Sequence, residues 1–182
     1  MGGHIIHMKC DIGVGNTRVS QPRATRLFKT RSPEETYLLG LNLGRLLSRP
    51  AVIGLSGPLG AGKTLFARGI ARGLGVEDYV KSPSFTFVHE HRGRLPMYLV
   101  DVYRLNDPSE AEDIGLCEIL EEEAVVVIEW ADKVSALMPQ ERIDVAMKWD
   151  AGDESSRDIV LTGHGYAFAG IVERVGRGDE PS

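Results

Sequence analysis

At 182 residues the chain is long enough for one domain with a buried core. Its formal net charge of −5 supplies no overall basic field for nucleic acid, so any RNA is expected to be held mainly by a partner. No apolar run is long enough to cross a bilayer, and the two cysteines, Cys10 and Cys117, show neither a disulfide framework nor metal-ligand spacing. A cytoplasmic location with no membrane contact fits both observations.

Residues 1–28 have no clear periodicity. Arg18, Arg23 and Arg26 outnumber Asp11, but an apolar targeting core is missing, and Met8 offers an alternative start. The segment reads as a flexible extension or start-site artefact. One domain is expected over 29–175, followed by a tail at 176–182.

Ser32-Pro33-Glu34-Glu35 opens the first helix, with Ser32 as N-cap, Pro33 at N1 and Glu35 closing a capping box. Leu39, Leu43, Leu46 and Leu47 form its apolar stripe. Gly40 and Gly44, one turn apart, permit close approach of another element. Arg49-Pro50 ends the helix.

Ala51 to Ser56 is an apolar run suited to a buried parallel strand. It leads into Gly57-Pro58-Leu59-Gly60-Ala61-Gly62-Lys63-Thr64, a G-x-x-x-x-G-K-T pattern. Phe66, Ile70 and Leu74 then recur at helical spacing, and Gly75 is a plausible stop. The order strand, glycine loop, helix is the context that makes the pattern a phosphate loop rather than a chance turn. Glycines let successive backbone N–H groups point at phosphate oxygens, and the helix start adds its dipole. Lys63 can reach the β- and γ-phosphates, and the Thr64 hydroxyl can ligate Mg²⁺.

From Ser84 to Val88, hydroxyl and aromatic residues alternate as in a half-buried strand, His89 to Arg94 read as a turn, and Leu95 to Val100 as a second strand. His89 and His91 then fall on the surface. Ser82, Ser84 and Thr86 form a hydroxyl-bearing segment that could order around a γ-phosphate, as in P-loop switches, or simply be the polar face of an edge strand. Asp107 caps a helix that carries Ile114 and ends in Glu121-Glu122-Glu123. Cys117 reads as a small buried hydrophobe. Ala124 to Ile128 is apolar on both faces, hence central. Arg142 to Trp149 and Arg157 to Thr162 pair through Ala151-Gly152-Asp153, and a short helix follows.

In open α/β sheets, ligands bind beyond the carboxyl ends of the strands. Here those ends carry the phosphate loop, Asp101 in the Walker-B-like run Tyr98-Leu99-Val100-Asp101, and Glu129. A nucleotide site needs an acid for Mg²⁺ and a group that orients the attacking water. Asp101 and Glu129 can divide those roles either way, and each can alternatively be a cap or turn residue. Arg157 and Lys133 are candidate late cations. Trp130 could stack on a base or cap the core, and the core is the favoured reading.

The set G-P-L-G-A-G-K-T at 57–64, S-P-S-F-T-F at 82–87, D-V-Y-R-L at 101–105 and I-E-W at 128–130 resembles the TsaE (YjeE) family. Members are small bacterial P-loop ATPases that act in making threonylcarbamoyladenosine in tRNA, on the adenosine next to the anticodon. The resemblance runs from about Ser32 to Thr162. It implies an α/β, three-layer P-loop NTPase-type fold whose parallel core sheet is flanked by antiparallel strands. ATP and Mg²⁺ are the implied cofactors, and the TsaB and TsaD proteins the implied partners, with tRNA reached through them. Gly57, Gly60, Ala61, Gly62, Lys63 and Thr64 are the implied phosphate-binding residues, and Asp101 and Glu129 the acids at Mg²⁺ or in hydrolysis. The segment from Pro33 to Thr36 corresponds to family residues near the adenine, and Arg157 to a late arginine near the nucleotide. Pro58 stands where many members have Asp, and Ser84 where many have Thr.

Two other functions compete. A small-metabolite kinase would usually carry an arginine-rich lid, whereas residues 101–129 are short and acidic. A non-catalytic nucleotide switch would share the phosphate loop. No N-K-x-D guanine signature is present, which favours adenine.

Overall fold

The computed structural model describes residues 22–78, 80, 86–107, 109–150 and 152–177. The expected phosphate-loop strand is β2 (Ala51–Ser56), buried on both faces up to Leu55. Its neighbours are β5 (Val125–Glu129) and β6 (Arg142–Asp150), both parallel to it. β4 (Pro96–Asp101) extends the parallel set beside β5. Antiparallel strands close both sides: β3 (Val88–Arg92) on β4, and β7 (Asp153–His164) then β1 (Arg23–Thr30) on β6. The seven-stranded order is β1-β7-β6-β2-β5-β4-β3. This is the expected parallel core flanked by antiparallel strands.

One sheet face is covered by α1 (Pro33–Leu46), α2 (Lys63–Gly73) and α5 (Tyr166–Arg174). Phe66, Ile70, Leu43 and Leu74 pack there against Ile53, Leu55 and Val127. The other face is covered over β5 and β4 by α3 (Glu110–Asp113), α4 (Leu116–Leu120) and a 3-10 helix at Ala131–Leu137, around Val126, Ile128, Val134 and Leu116. Three layers result. No helix of the described residues is long and apolar enough to cross a membrane.

Gly40 and Gly44 act as expected: a methyl on either would overlap the carbonyl oxygen of Phe66 or Ile70 in α2. The two helices therefore touch backbone to backbone. Gly75 has a φ of 80°, the left-handed turn that ends α2.

Several expectations are corrected. The extension expected through residue 28 ends earlier, because Arg23–Thr30 form edge strand β1 against β7. Charged Arg23 and Lys29 and the exposed Leu27 on its outward face hide the period of two. Residues 1–21 and 178–182 lie outside the described residues. The hairpin is shifted along the chain: His89–Arg92 belong to β3, and the turn is Gly93–Leu95. Gly93 is pinned against the Leu74 carbonyl, and the Arg94 N–H donates to that oxygen, which fixes the turn there. His91 is consequently buried rather than on the surface. The helix expected over Asp107–Leu120 is broken at Gly115, whose φ is 72°. Cys117 is half-buried on α4.

Candidate functional site

The loop between β2 and α2 bends through positive φ at Gly57 (137°), Gly60 (78°) and Gly62 (103°). These values are cheap only for glycine. Gly57 also lies against the Met147 carbonyl of β6, where a side chain would collide. Gly62 is the N-cap of α2 and offers no side-chain cap, so the first N–H groups of that helix face the loop interior. Ala61 is fully buried behind it.

Lys63 curls back over the loop. Its Nζ donates to the carbonyls of Gly57 at 2.7 Å and Pro58 at 2.9 Å, and lies 3.5 Å from the centre of the Trp130 ring. Burial lowers its pKa, while Glu129, Asp132 and Asp101 pull it back up. A lysine held this way keeps the loop open around a positive charge.

Glu129 ends β5, in register with Leu55 of β2 and Asp101 of β4. It is 3 % exposed. Its Oε2 accepts from the Thr64 hydroxyl at 2.8 Å, while Oε1 is buried and finds no hydrogen-bond partner among the described residues. Burial pushes its carboxyl up to about 7, against the hydrogen bond from Thr64; nearby Asp101 adds to the rise. Asp101 Oδ1 accepts from the Tyr103 N–H at 2.9 Å, so this acid also closes a turn. An unpartnered buried carboxylate oxygen beside a hydroxyl, an ammonium and a second acid is costly unless a cation or a bound water completes it.

These groups border one cavity of about 720 Å³, together with Leu59, Gly60, Arg68, Arg104 and Trp130. Lys63, Thr64, Asp101 and Glu129 are thus brought together. Arg157 and Thr36 are not on that wall. Arg157 pairs across strands with Thr30 and Trp149, and its Nη1 donates to the Ser156 carbonyl at 2.9 Å. Thr36 is enclosed, its hydroxyl 2.8 Å from that of Thr30; its methyl lies 3.4 Å from where a Cβ on Gly62 would stand. It props the loop from beneath. Thr86 is exposed at a turn, while Ser82 and Ser84 lie outside the described residues. Lys133 is spent on structure, donating to the carbonyls of Tyr103 and Leu105.

Trp130 packs against the core beneath β4 and β5, as favoured, and also reaches the cavity. A φ of 65° turns it out of the strand, onto the Tyr103 ring and under Lys63 at the cavity wall. Arg68 was missed, and Arg104, expected on a turn with its side chain directed elsewhere, lines the cavity. Arg68 follows Thr64 by four residues, hence on the same helix face, a signal the sequence did contain; its Nε donates to the Val80 carbonyl at 2.8 Å. Arg104 lies over the Phe87 ring, 4.8 Å from its centre, a placement that needs the β3–β4 pairing to be known.

The groups present fit a magnesium-bound triphosphate. The loop N–H groups and Lys63 match phosphate oxygens, and Thr64, Glu129 and Asp101 supply the oxygen donors that Mg²⁺ prefers. Among the described residues there is no separate cluster of three or more His, Cys, Asp or Glu able to hold a metal.

The same arrangement has relatives. The family profile described as threonylcarbamoyl adenosine biosynthesis protein TsaE matches residues 30–159. A tRNA threonylcarbamoyladenosine biosynthesis protein TsaE of Bacillus subtilis strain 168 is 40% identical over 157 residues, covering 85% of this chain and 96% of the relative. One from Treponema pallidum strain Nichols is 39% identical over 132 residues, covering 72% of this chain and 96% of its own. The crystal structure of Bacillus subtilis YdiB superposes with a TM-score of 0.72 at 35% identity, over 87% of this chain and 98% of that one. With a match over most of its length and the phosphate loop, acids and tryptophan assembled at the carboxyl ends of the parallel strands, the chain belongs to the TsaE family, the threonylcarbamoyladenosine biosynthesis proteins of tRNA modification.

Proposed function

We propose that this chain is a Mg²⁺-dependent ATPase that serves threonylcarbamoyladenosine formation on tRNA in company with the TsaB and TsaD proteins. The observation that carries this reading is Glu129: a buried carboxylate, hydrogen-bonded to the phosphate-loop Thr64, with its second oxygen buried and unsatisfied among the described residues, on a residue that lines the same cavity as Lys63. Magnesium, when bound, would neutralise charge on the β- and γ-phosphate oxygens. The loop N–H groups and Lys63 hold the phosphates, and Lys63 moves from the Gly57 and Pro58 carbonyls onto them. Thr64 and the two acids anchor the ion and its water shell. Asp101 and Glu129, side by side at the strand ends, orient the water that attacks the γ-phosphorus as the bond to the leaving ADP oxygen breaks.

Hydrolysis of this kind is accelerated mainly by positive charge on the developing transition state, often an arginine supplied in trans. Arg104 is partly committed to the Phe87 ring, and Arg68 to the Val80 carbonyl. Slow turnover in isolation and faster turnover in the assembly are therefore expected. With a net charge of −5, the tRNA is expected on the partners. The test is steady-state ATPase activity of the purified chain, alone and with the TsaB and TsaD proteins. A rise on assembly, lost in Glu129→Gln by about a hundredfold or more, supports the reading. Equal rates with and without partners would favour a free-standing kinase or ATPase, and no hydrolysis at all would favour a nucleotide switch.

A further inference from the structure

On β6, Ile143, Val145 and Met147 are fully buried under the helical layer that includes α2. Trp149 is the next residue on the same strand face. It continues the row past the point where the phosphate loop passes over Met147, and it is left half-exposed there. Its indole is 48% exposed and large. It stands directly beside the loop, with its Cζ2 3.7 Å from where a Cβ on Gly60 would be. Trp149 still pairs with Arg157 of β7, the register shifts between it and Asp150, and Lys29 of β1 forms an ion pair with Asp150.

The position relative to the acids is decisive. Glu129 and Asp101 lie on β5 and β4, to one side of the loop strand β2; β6 lies on the other side. The acids, by holding a magnesium ion, would place the β- and γ-phosphates on their side of the loop. The α-phosphate and nucleoside would then lie on the opposite side, toward the end of β6 and the start of β7. An indole there offers a flat apolar face to a flat aromatic ligand group.

We propose that the indole of Trp149 is the shelf on which the base of the bound nucleotide stacks. The proposal rests on the nucleotide-binding reading above and adds to it a residue that contacts the base and not the phosphates. Stacking on a π-face tolerates any base, so Trp149 supplies affinity for a nucleoside without choosing adenine over guanine.

The experiment measures calorimetric affinity for Mg²⁺–ATP, Mg²⁺–GTP and Mg²⁺–tripolyphosphate in the full chain, Trp149→Ala and Trp149→Phe, with thermal melts confirming each fold. In Trp149→Ala both nucleotides should weaken on the order of tenfold or more while tripolyphosphate is unchanged, and Trp149→Phe should recover most of the loss. Equal weakening of tripolyphosphate and nucleotides would make Trp149 a prop for Gly60 and overturn the proposal. Unchanged nucleotide affinity in the alanine variant would overturn it too. If the unaltered chain binds tripolyphosphate but gains nothing from a base, the shelf fails and the phosphate-loop reading stands. If it binds none of the three, that reading itself fails and the proposal falls with it.

Discussion

The two helical layers are built on opposite principles. In the α1–α2 layer, glycines let two helices meet backbone to backbone: Gly40 and Gly44 lie on α2 carbonyls, and Gly69 and Gly73 on those of α1. On the other face, α3 has 4 residues, α4 has 5, and the 3-10 helix at 131–137 is kinked at Val134. The first layer carries the start of the phosphate loop helix, whose N–H groups must stay aimed. The second carries Tyr103, Arg104, Trp130 and Lys133 on short pieces tied by single side chains. Rigidity is placed where phosphates are gripped, and adjustable segments border the open side of the cavity.

The largest expected effect tests that difference. Gly44→Ala places a methyl against the Ile70 carbonyl, in an interface with no room to part without moving both helices. It should lower unfolding stability by about 3 kcal/mol or more. Gly115→Ala meets only open space near the Glu118 carboxylate, and its cost is the left-handed backbone alone, about 1–2 kcal/mol. Urea titrations of both variants make the comparison. Equal losses would mean that the two layers are equally constrained.

The grip itself comes next. Lys63→Ala removes a charge-assisted contact to the phosphates and should weaken Mg²⁺–ATP binding by about 1.5–3 kcal/mol. Calorimetry with unchanged affinity would end the assignment of Lys63. The fold should survive, because the lysine's partners in the free protein are loop carbonyls that water can serve.

Much of the gripping side was legible in the sequence, and much of the adjustable side was not. Gly57 to Thr64, the buried strand Ala124 to Ile128 and the Ser32 cap are local signals: each needs only its own neighbours to be read. Gly40 and Gly44 were legible as a spacing. The core contact of Trp130 was legible, but its place on the cavity wall was not, because that depends on one positive φ, which no residue pattern announces for a tryptophan. β1 was missed because its inward row contains Arg26, whose guanidinium finds the Glu173 and Val175 carbonyls at the end of α5, a partner set known only after folding. The hairpin frame depended on Arg94, which donates to carbonyls at the end of α1 and thereby fixes where the turn falls.

The boundary between gripping and adjustable sides runs through Glu129, and pH reads it. In the fold this carboxyl stands at about 7, against 4.5 for the free group, chiefly because burial disfavours its charge. A carboxyl whose folded pKa is raised contributes stability fully below its unfolded value and loses it as pH rises through the folded value. Between pH 4.5 and 8, without metal or nucleotide, the unaltered chain should therefore lose on the order of 2–3 kcal/mol relative to Glu129→Gln. Parallel stability profiles for the two proteins would show that Glu129 is not held in a desolvated state.

The smallest effect concerns helix starts. At α1, Ser32 Oγ accepts from the Glu35 N–H at 3.1 Å, and Glu35 Oε2 accepts from the Arg31 N–H at 2.7 Å. The reciprocal bond thus closes one residue before the cap, but it still satisfies two exposed donors where the rigid layer begins. At α3, Ser109 makes no cap bond; its N–H and hydroxyl both donate to Asp107 Oδ1, at 2.8 and 2.7 Å. Asp107 serves a turn there, and the hydroxyl can be lost while the N–H bond remains. Ser32→Ala should cost about 1 kcal/mol, and Ser109→Ala no more than about 0.5 kcal/mol. Hydrogen exchange at the first amides of each helix gives the local reading. Faster exchange at α1 in Ser32→Ala, with α3 little changed in Ser109→Ala, would carry the contrast between the layers down to a single hydroxyl. A larger loss at Ser109 would mean that the short helices depend on their turns more tightly than their geometry shows.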